Sequence, residues 1–278
     1  MHTLKVAQPR AELRQFIRAF AQRDNGPLDP LFVQPTPAQL EQLMTFELGS
    51  PIEIRYPDGR IQVCDGVTVC GGQSRFVAHM HLPARMRSFG VFFQPTGFTQ
   101  LFGIPIVALT DRAEDGLGVM GNSIRGLWNR LGECCSFAQR VQVAETFFLR
   151  RGAQAHTQNT IAAAASFLFR IHGAIRISYL AQQVSSGMRQ FERDFKREMG
   201  LSPKTFSRIA RFQAALDAKV AQPARTWLDI AHTFGYHDQM HMIHDFETLG
   251  RDNPTSLLQA LGDARPPAYK PETGEIVC

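Results

Sequence analysis

No apolar run in the sequence approaches the roughly 20 residues that a bilayer-spanning helix needs. The longest, the Ala-rich stretch from Ile161 to Phe169, has nine residues. The opening MHTLKVAQPRAELRQF has no apolar stretch beside its basic residues, so secretion is not expected and the expected compartment is the cytoplasm. Cysteine is sparse: Cys64, Cys70, Cys134, Cys135 and Cys278 fit no disulfide framework and form no C-x-x-C pair for structural zinc. The adjacent Cys134 and Cys135 are expected as a helix-buried pair of small residues, with a redox sensor as the alternative. Nor does any pair of carboxylates, nucleophile–base set or phosphate loop signal catalysis, so no enzyme, cofactor or metal is expected.

What remains is a chain of 278 residues, 44% hydrophobic and 20% charged, long enough for two domains with a core each. Its net charge of +5 permits nucleic-acid binding without demanding it. In residues 9–23, Leu13, Phe16, Ile17 and Phe20 stand at helical spacing, which predicts an amphipathic helix with an Arg-rich solvated face. The segments QLMTFEL, PIEIRYP, VTVC, SRFVAHMHL and SFGVFFQ then follow, punctuated by Gly, Pro and Asp as antiparallel hairpin strands are. TDRAE at Thr110 to Glu114 is read as a helix-capping feature, and NSIRGLWNRL and FAQRVQVAETFFLRR as helices. The patternless stretch around residues 151–159 is expected to be a linker.

Beyond it the sequence says one thing twice. Ala181 stands fourteen positions before Phe195 and Phe195 eight before Pro203; Ala231 stands fifteen before Phe246 and Phe246 eight before Pro254. Each copy reads as a short helix (LAQQV, IAHTF), a tight break (SSG, GYH), a second helix with aromatic anchors and a proline-led exit, which is a helix-turn-helix unit. A helix ending at Gly173 precedes them, and one from Pro203 to about Val220, roughly 26 Å at ~1.5 Å per residue, joins them. That is shorter than the ~34 Å between successive major-groove entries on one face of DNA, so the DNA must bend or the second unit must sit less deeply.

The stretch ISYLAQQVSSGMRQFERDFKREMGLSPKTFSRIARFQAAL, followed by WLDIAHTFGYHDQMHMIHDFETLGRDNPTSLLQ, resembles the DNA-binding domain of AraC/XylS-type transcriptional regulators. The resemblance covers about the last 120 residues. It implies two helix-turn-helix units bridged by one long helix, preceded by a domain that senses an effector or mediates dimerisation. The turn Ser185-Ser186-Gly187 departs from the family, which usually places an apolar residue there, and His244 stands where the family usually has Arg.

The expected fold class is therefore α+β. Residues 1–152 make an effector-sensing or dimerisation domain, a β-barrel or sandwich with helices; residues 160–262 make an all-α double helix-turn-helix domain; residues 263–278 make a flexible tail. In the first unit Leu180, Ala181, Phe191 and Phe195 are the expected core, which leaves Arg189, Glu192, Arg193 and Lys196 toward DNA. Arginine can pair bidentately with guanine, and a lysine nearer the helix end more often finds phosphate. In the second unit Ile230, Ala231, Met242 and Phe246 are the expected core, with Gln239, Met240, Ile243 and His244 toward DNA. The units differ in charge: Ser186 to Arg211 carries seven basic and three acidic residues, whereas His237 to Leu261 carries Arg251 against Asp238, Asp245, Glu247 and Asp252.

Two histidine patterns carry metal alternatives. His237, His241 and His244, at i, i+4 and i+7, could share a helix face, but no fourth ligand accompanies them. His79-Met80-His81 is similar to the H-x-H of metal-binding cupins, without the acidic residue that should follow. The expected function is a sequence-specific, effector-responsive DNA-binding transcriptional regulator. Its expected partners are double-stranded DNA, a small-molecule effector in the N-terminal domain and a second copy as a homodimer, with no membrane. The alternatives are a cupin-like metal-dependent enzyme on His79 and His81, or a protein-interaction module with weakened DNA binding.

Overall fold

Ten short strands, all paired antiparallel, build the first half: β1 (Thr3–Ala7), β2 (Ile17–Asp24), β3 (Phe32–Thr36), β4 (Leu43–Glu47), β5 (Ile52–Arg55), β6 (Ile61–Cys64), β7 (Val67–Cys70), β8 (Ala78–Leu82), β9 (Arg87–Phe93) and β10 (Ala113–Asp115). They form two sheets, of order β1-β2-β9-β4-β7-β10 and β3-β8-β5-β6. The computed structural model describes residues 3–155, 159–184 and 186–262, with the backbone of 268–269 and 276–277.

Residues 9–23 are not the predicted helix. A single 3₁₀ turn, Ala11–Leu13, leads directly into β2, which lies between β1 and β9 in the larger sheet. The helical spacing misled because both faces of β2 are buried. Ile17 and Phe20 join one aromatic core, helped by a bulge between Ile17 and Ala19. Arg18, expected in solvent, is buried and paired with Glu41, and Gln22 is buried too, accepting from Arg140 Nη1 at 3.1 Å.

Helices α1 (Gly97–Phe102), α2 (Gly116–Met120), α3 (Asn122–Glu133) and α4 (Phe137–Gly152) follow. Leu101, Ile124, Leu127, Leu131 and Phe148 pack with Phe20, Phe46, Phe89 and Phe93 in one core. The capping residue near TDRAE is Asp115, one position later, whose side chain accepts from the Leu117 and Gly118 amides; Ala113 and Glu114 belong to β10 instead. Cys134 and Cys135 are not buried within a helix either. They lie at the junction of α3 and α4, Cys135 exposed, where Ser136 and Gln139 close a capping box.

Helices build the described residues 160–261: α5 (Thr160–Arg170), α6 (Ile177–Gln183), α7 (Met188–Met199), α8 (Pro203–Ala221), α9 (Trp227–Thr233), α10 (Gln239–Gly250) and α11 (Pro254–Leu261). Side chains of Asn159, Ser202, Thr226, Asp238 and Asn253 cap five of them, and Pro203 and Pro254 each follow the cap, where the missing N–H costs nothing. α5 ends through two residues at positive φ, His172 and Gly173. A Cβ on Gly173 would stand 2.5 Å from the Ser207 carbonyl oxygen, so glycine lets the chain pass against α8. Most of the expected tail lies outside the described residues; within it, Ala268–Tyr269 pairs with Ile276–Val277.

The helical core does not stop at the junction with the sheets. Ala38, Leu40 and Ile106 from the first half belong to the same buried cluster as Phe195, Phe206 and Phe212. The Ala38 amide donates to the Leu249 carbonyl at 2.9 Å, the Arg251 guanidinium stands 5.5 Å from the centre of the Phe76 ring, and Gln213 of α8 reaches the loop before β4.

Candidate nucleic-acid interface and effector cavity

In the first unit, Leu180 and Ala181 of α6 face Phe191, Phe195 and Met199 of α7, all buried. The turn is held by the Ser186 amide donating to the Ala181 carbonyl at 3.1 Å; Ser185 lies outside the described residues. With that stripe inside, Arg189, Glu192, Arg193 and Lys196 are exposed. Arg193 donates to Gln190, Gln190 to Asp194 at 2.5 Å, and Arg197 pairs with Asp194 at 2.7 Å. The Gln190 bond, aided by Arg197 and Arg193, holds the Asp194 carboxyl below its usual range. Arg189 and Lys196 make no such bond among the described residues. Both are free to meet a phosphate or a base edge.

The second unit repeats the plan. Ile230 and Ala231 of α9 pack with Met242 and Phe246 of α10, while Gln239, Met240 and His244 are exposed and Ile243 is half-buried. His237 does not share a helix face with His241 and His244, because Asp238 caps α10 and His237 precedes it. The Asp238 carboxylate accepts from the His241 amide at 2.7 Å, which with His237 beside it lowers its pKa.

The acidic character of this unit is smaller than its sequence suggests. Asp245 is buried, and the Arg208 guanidinium of α8 donates to it at 2.6 Å. Arg211 stands 5.2 Å from the buried Tyr236 ring and donates to the Gly235 carbonyl at 3.4 Å. Two of the seven basic residues counted toward the first unit thus hold the second one in place. Sequence spacing alone did not nominate this pair of grips. The available signal was Asp245, an acid three positions past Met242 and next to Phe246, on the inward side of a helix.

Between the two sheets and the bridge helix lies a cavity of about 180 Å³. Ile52, Ile54, Met80 and Leu82 give it apolar walls, Arg18 and Arg23 of β2 supply cations, and Phe212, Gln213 and Leu216 of α8 complete it. Burial, partly offset by Glu47, pushes the Arg23 guanidinium down to about 10. On β8 the lining residues are Ala78, Met80 and Leu82, so alternation turns His79 and His81 to the opposite face. The cupin-like metal arrangement therefore does not form at this cavity.

A β-sandwich followed by two helix-turn-helix units on one bridge helix defines a transcription regulator that binds DNA through its second half. A family profile described as a helix-turn-helix domain matches residues 180–260, and one described as a domain of unknown function (DUF6597) matches residues 5–115. Residues 180–260 thus carry a helix-turn-helix domain of the AraC type. No curated protein matches it in sequence. Among solved structures, an apo lysine-to-alanine variant of ToxT from Vibrio cholerae strain SCE256 is similar over 92% of this chain and 100% of that one, with 8% identity and a TM-score of 0.54. The unsaturated fatty acid-bound wild-type ToxT of the same strain covers 94% of this chain and 96% of its own, at 8% identity and a TM-score of 0.49. The AraC-like transcriptional activator CuxR is more distant, at 11% identity over 75% of this chain and 84% of that one, with a TM-score of 0.30.

Proposed function

We propose that the protein is a sequence-specific regulator whose α7 enters the major groove and whose sensor half binds a small-molecule effector. The observation that carries the DNA reading is the division of α7: a buried stripe of Phe191, Phe195 and Met199, and an exposed row of Arg189, Arg193 and Lys196. Base discrimination then falls to Arg189 and Arg193 with Glu192, phosphate contact to Lys196, and the second unit adds Gln239, Met240, Ile243 and His244. Arg193→Ala is expected to cost ~1–3 kcal/mol of specific binding and relax discrimination at a base pair, while Lys196→Ala weakens all sequences alike and lowers the log–log salt slope by about one. Gel shifts over a salt series against the protein's own upstream region test this. Wild-type affinity in both variants would remove α7 from the groove.

The effector reading rests on a cavity that the sensor sheets and the bridge helix share, so a bound molecule touches both halves at once. Its direct test is whether occupancy changes DNA affinity. The expectation of a homodimer rests on the family likeness alone, and sedimentation of the full chain with and without DNA decides it.

A further inference from the structure

The two recognition helices, α7 and α10, are each twelve residues long and are anchored alike. Phe191 and Met242, Asp194 and Asp245, and Phe195 and Phe246 fall at the same places, so each exposed residue of α7 has a counterpart on α10. Arg189 is matched by Met240, Glu192 by Ile243, Arg193 by His244 and Lys196 by Glu247. Where α7 presents charge, α10 thus presents a thioether and a branched alkyl chain, three residues apart on one face. Met240 is 69% exposed, and α10 itself contains neither Lys nor Arg.

Resting on the DNA reading above, we infer that α10 reads thymine by its C5 methyl group, through Met240 with Ile243 beside it, and so prefers A·T pairs in its part of the site. That methyl is the one apolar feature on the major-groove edge of a base pair, and an apolar side chain held in the groove has no other partner there. A protein partner fits the face less well. One exposed methionine and a half-buried isoleucine amount to a few methyl groups, whereas a stable interface takes ~800 Å² from each side. Phosphate fits it less well too, because Glu247 stands where α7 offers Lys196, and an acid there repels the backbone. The helices therefore divide the work: α7 supplies the phosphate neutralisation, and α10 adds sequence preference with little salt dependence. Burial of one methyl against Met240 removes apolar surface of both from water, which is worth about fourfold in affinity.

The test uses the full chain to select a duplex from a random library, and then replaces each thymine of that duplex singly by uracil, which removes the methyl and leaves the pairing intact. Gel shifts at fixed salt are expected to show a loss of about fourfold at one or two positions and no more than about twofold elsewhere. Met240→Ala changes an exposed position and leaves the fold intact. It is expected to weaken the all-thymine duplex by a similar factor and to make those same positions indifferent to uracil. Glu247→Lys is expected to tighten every sequence and steepen the log–log salt slope by about one, since it gives α10 the phosphate contact that Lys196 gives α7. Uracil tolerated at every position, or a uracil effect that persists undiminished in Met240→Ala, overturns methyl reading. If Glu247→Lys still tightens binding in that case, α10 lies on the DNA without reading methyls. Specific binding indifferent to uracil and to Glu247→Lys alike overturns the inference by taking α10 off the duplex, and leaves the α7 reading standing. A selection that enriches no sequence overturns both readings together.

Discussion

Two buried carboxylates have opposite consequences for stability. Glu47 accepts from Ser88 Oγ at 2.9 Å, yet burial pushes its carboxyl up to about 7. The folded chain therefore holds a proton that the unfolded chain has lost between about pH 4.5 and 7, and stability falls as pH rises through that window. Glu47→Gln is expected to flatten the fall and add on the order of 2 kcal/mol at pH 8, measured by urea unfolding at pH 5 and 8. Asp245 is instead held by Arg208, and the pair is asymmetric, the carboxylate side chain being 2% exposed and the guanidinium 34%. Removing the cation strands a buried anion, whereas removing the anion leaves a cation that water can reach. Arg208→Ala is thus expected to destabilise by ~3–5 kcal/mol and Asp245→Asn by clearly less, an order that denaturant midpoints would expose.

At the scale of elements, Gly173 is the place where a helix exit and the bridge helix touch. It has φ +70°, and any Cβ there would meet the Ser207 backbone, so Gly173→Ala is expected to cost at least ~2 kcal/mol and to lower the melting temperature without changing the DNA site preferred. The helix-turn-helix units were legible from sequence because each helix there buries one stripe and exposes the rest: Phe191 and Phe195, then Met242 and Phe246, fall where a 3.6-residue period puts them. The sandwich was only partly legible. The hydrophobic alternation marked β4, β5, β7, β8 and β9, but β2 is buried on both faces, so Arg18 reads as surface when it is interior. β1, β3 and β6 were missed for the converse reason. As short strands with half-exposed residues they carry little apolar pattern of their own. The internal grips Arg208–Asp245 and Arg18–Glu41 were illegible because a charge count assigns charged residues to the surface by default, and only packing shows which are enclosed.

For the whole molecule, the shared core of Ala38, Leu40 and Ile106 with the helical cluster sets how separable the halves are. A chain beginning at Asn159 is expected to fold as a helical domain and bind DNA, since α5 to α11 supply their own apolar faces. It loses the cover that the sensor provides, so its melting temperature should lie on the order of 5 °C below that of the intact protein, as calorimetry on both would measure. A soluble, helical fragment with no DNA affinity at low salt would refute that autonomy. The same joint has a consequence for synthesis. Leu40 leaves the ribosome 173 residues ahead of Gln213, its partner, which at ~5–20 residues per second is a delay of about 9–35 s. The sandwich is complete only once β10 has emerged at Asp115, so for the last 98 of those residues (213 − 115), about 5–20 s, it presents Ala38 and Leu40 uncovered to the cell, and the nascent chain is most vulnerable to aggregation just before its last helices emerge.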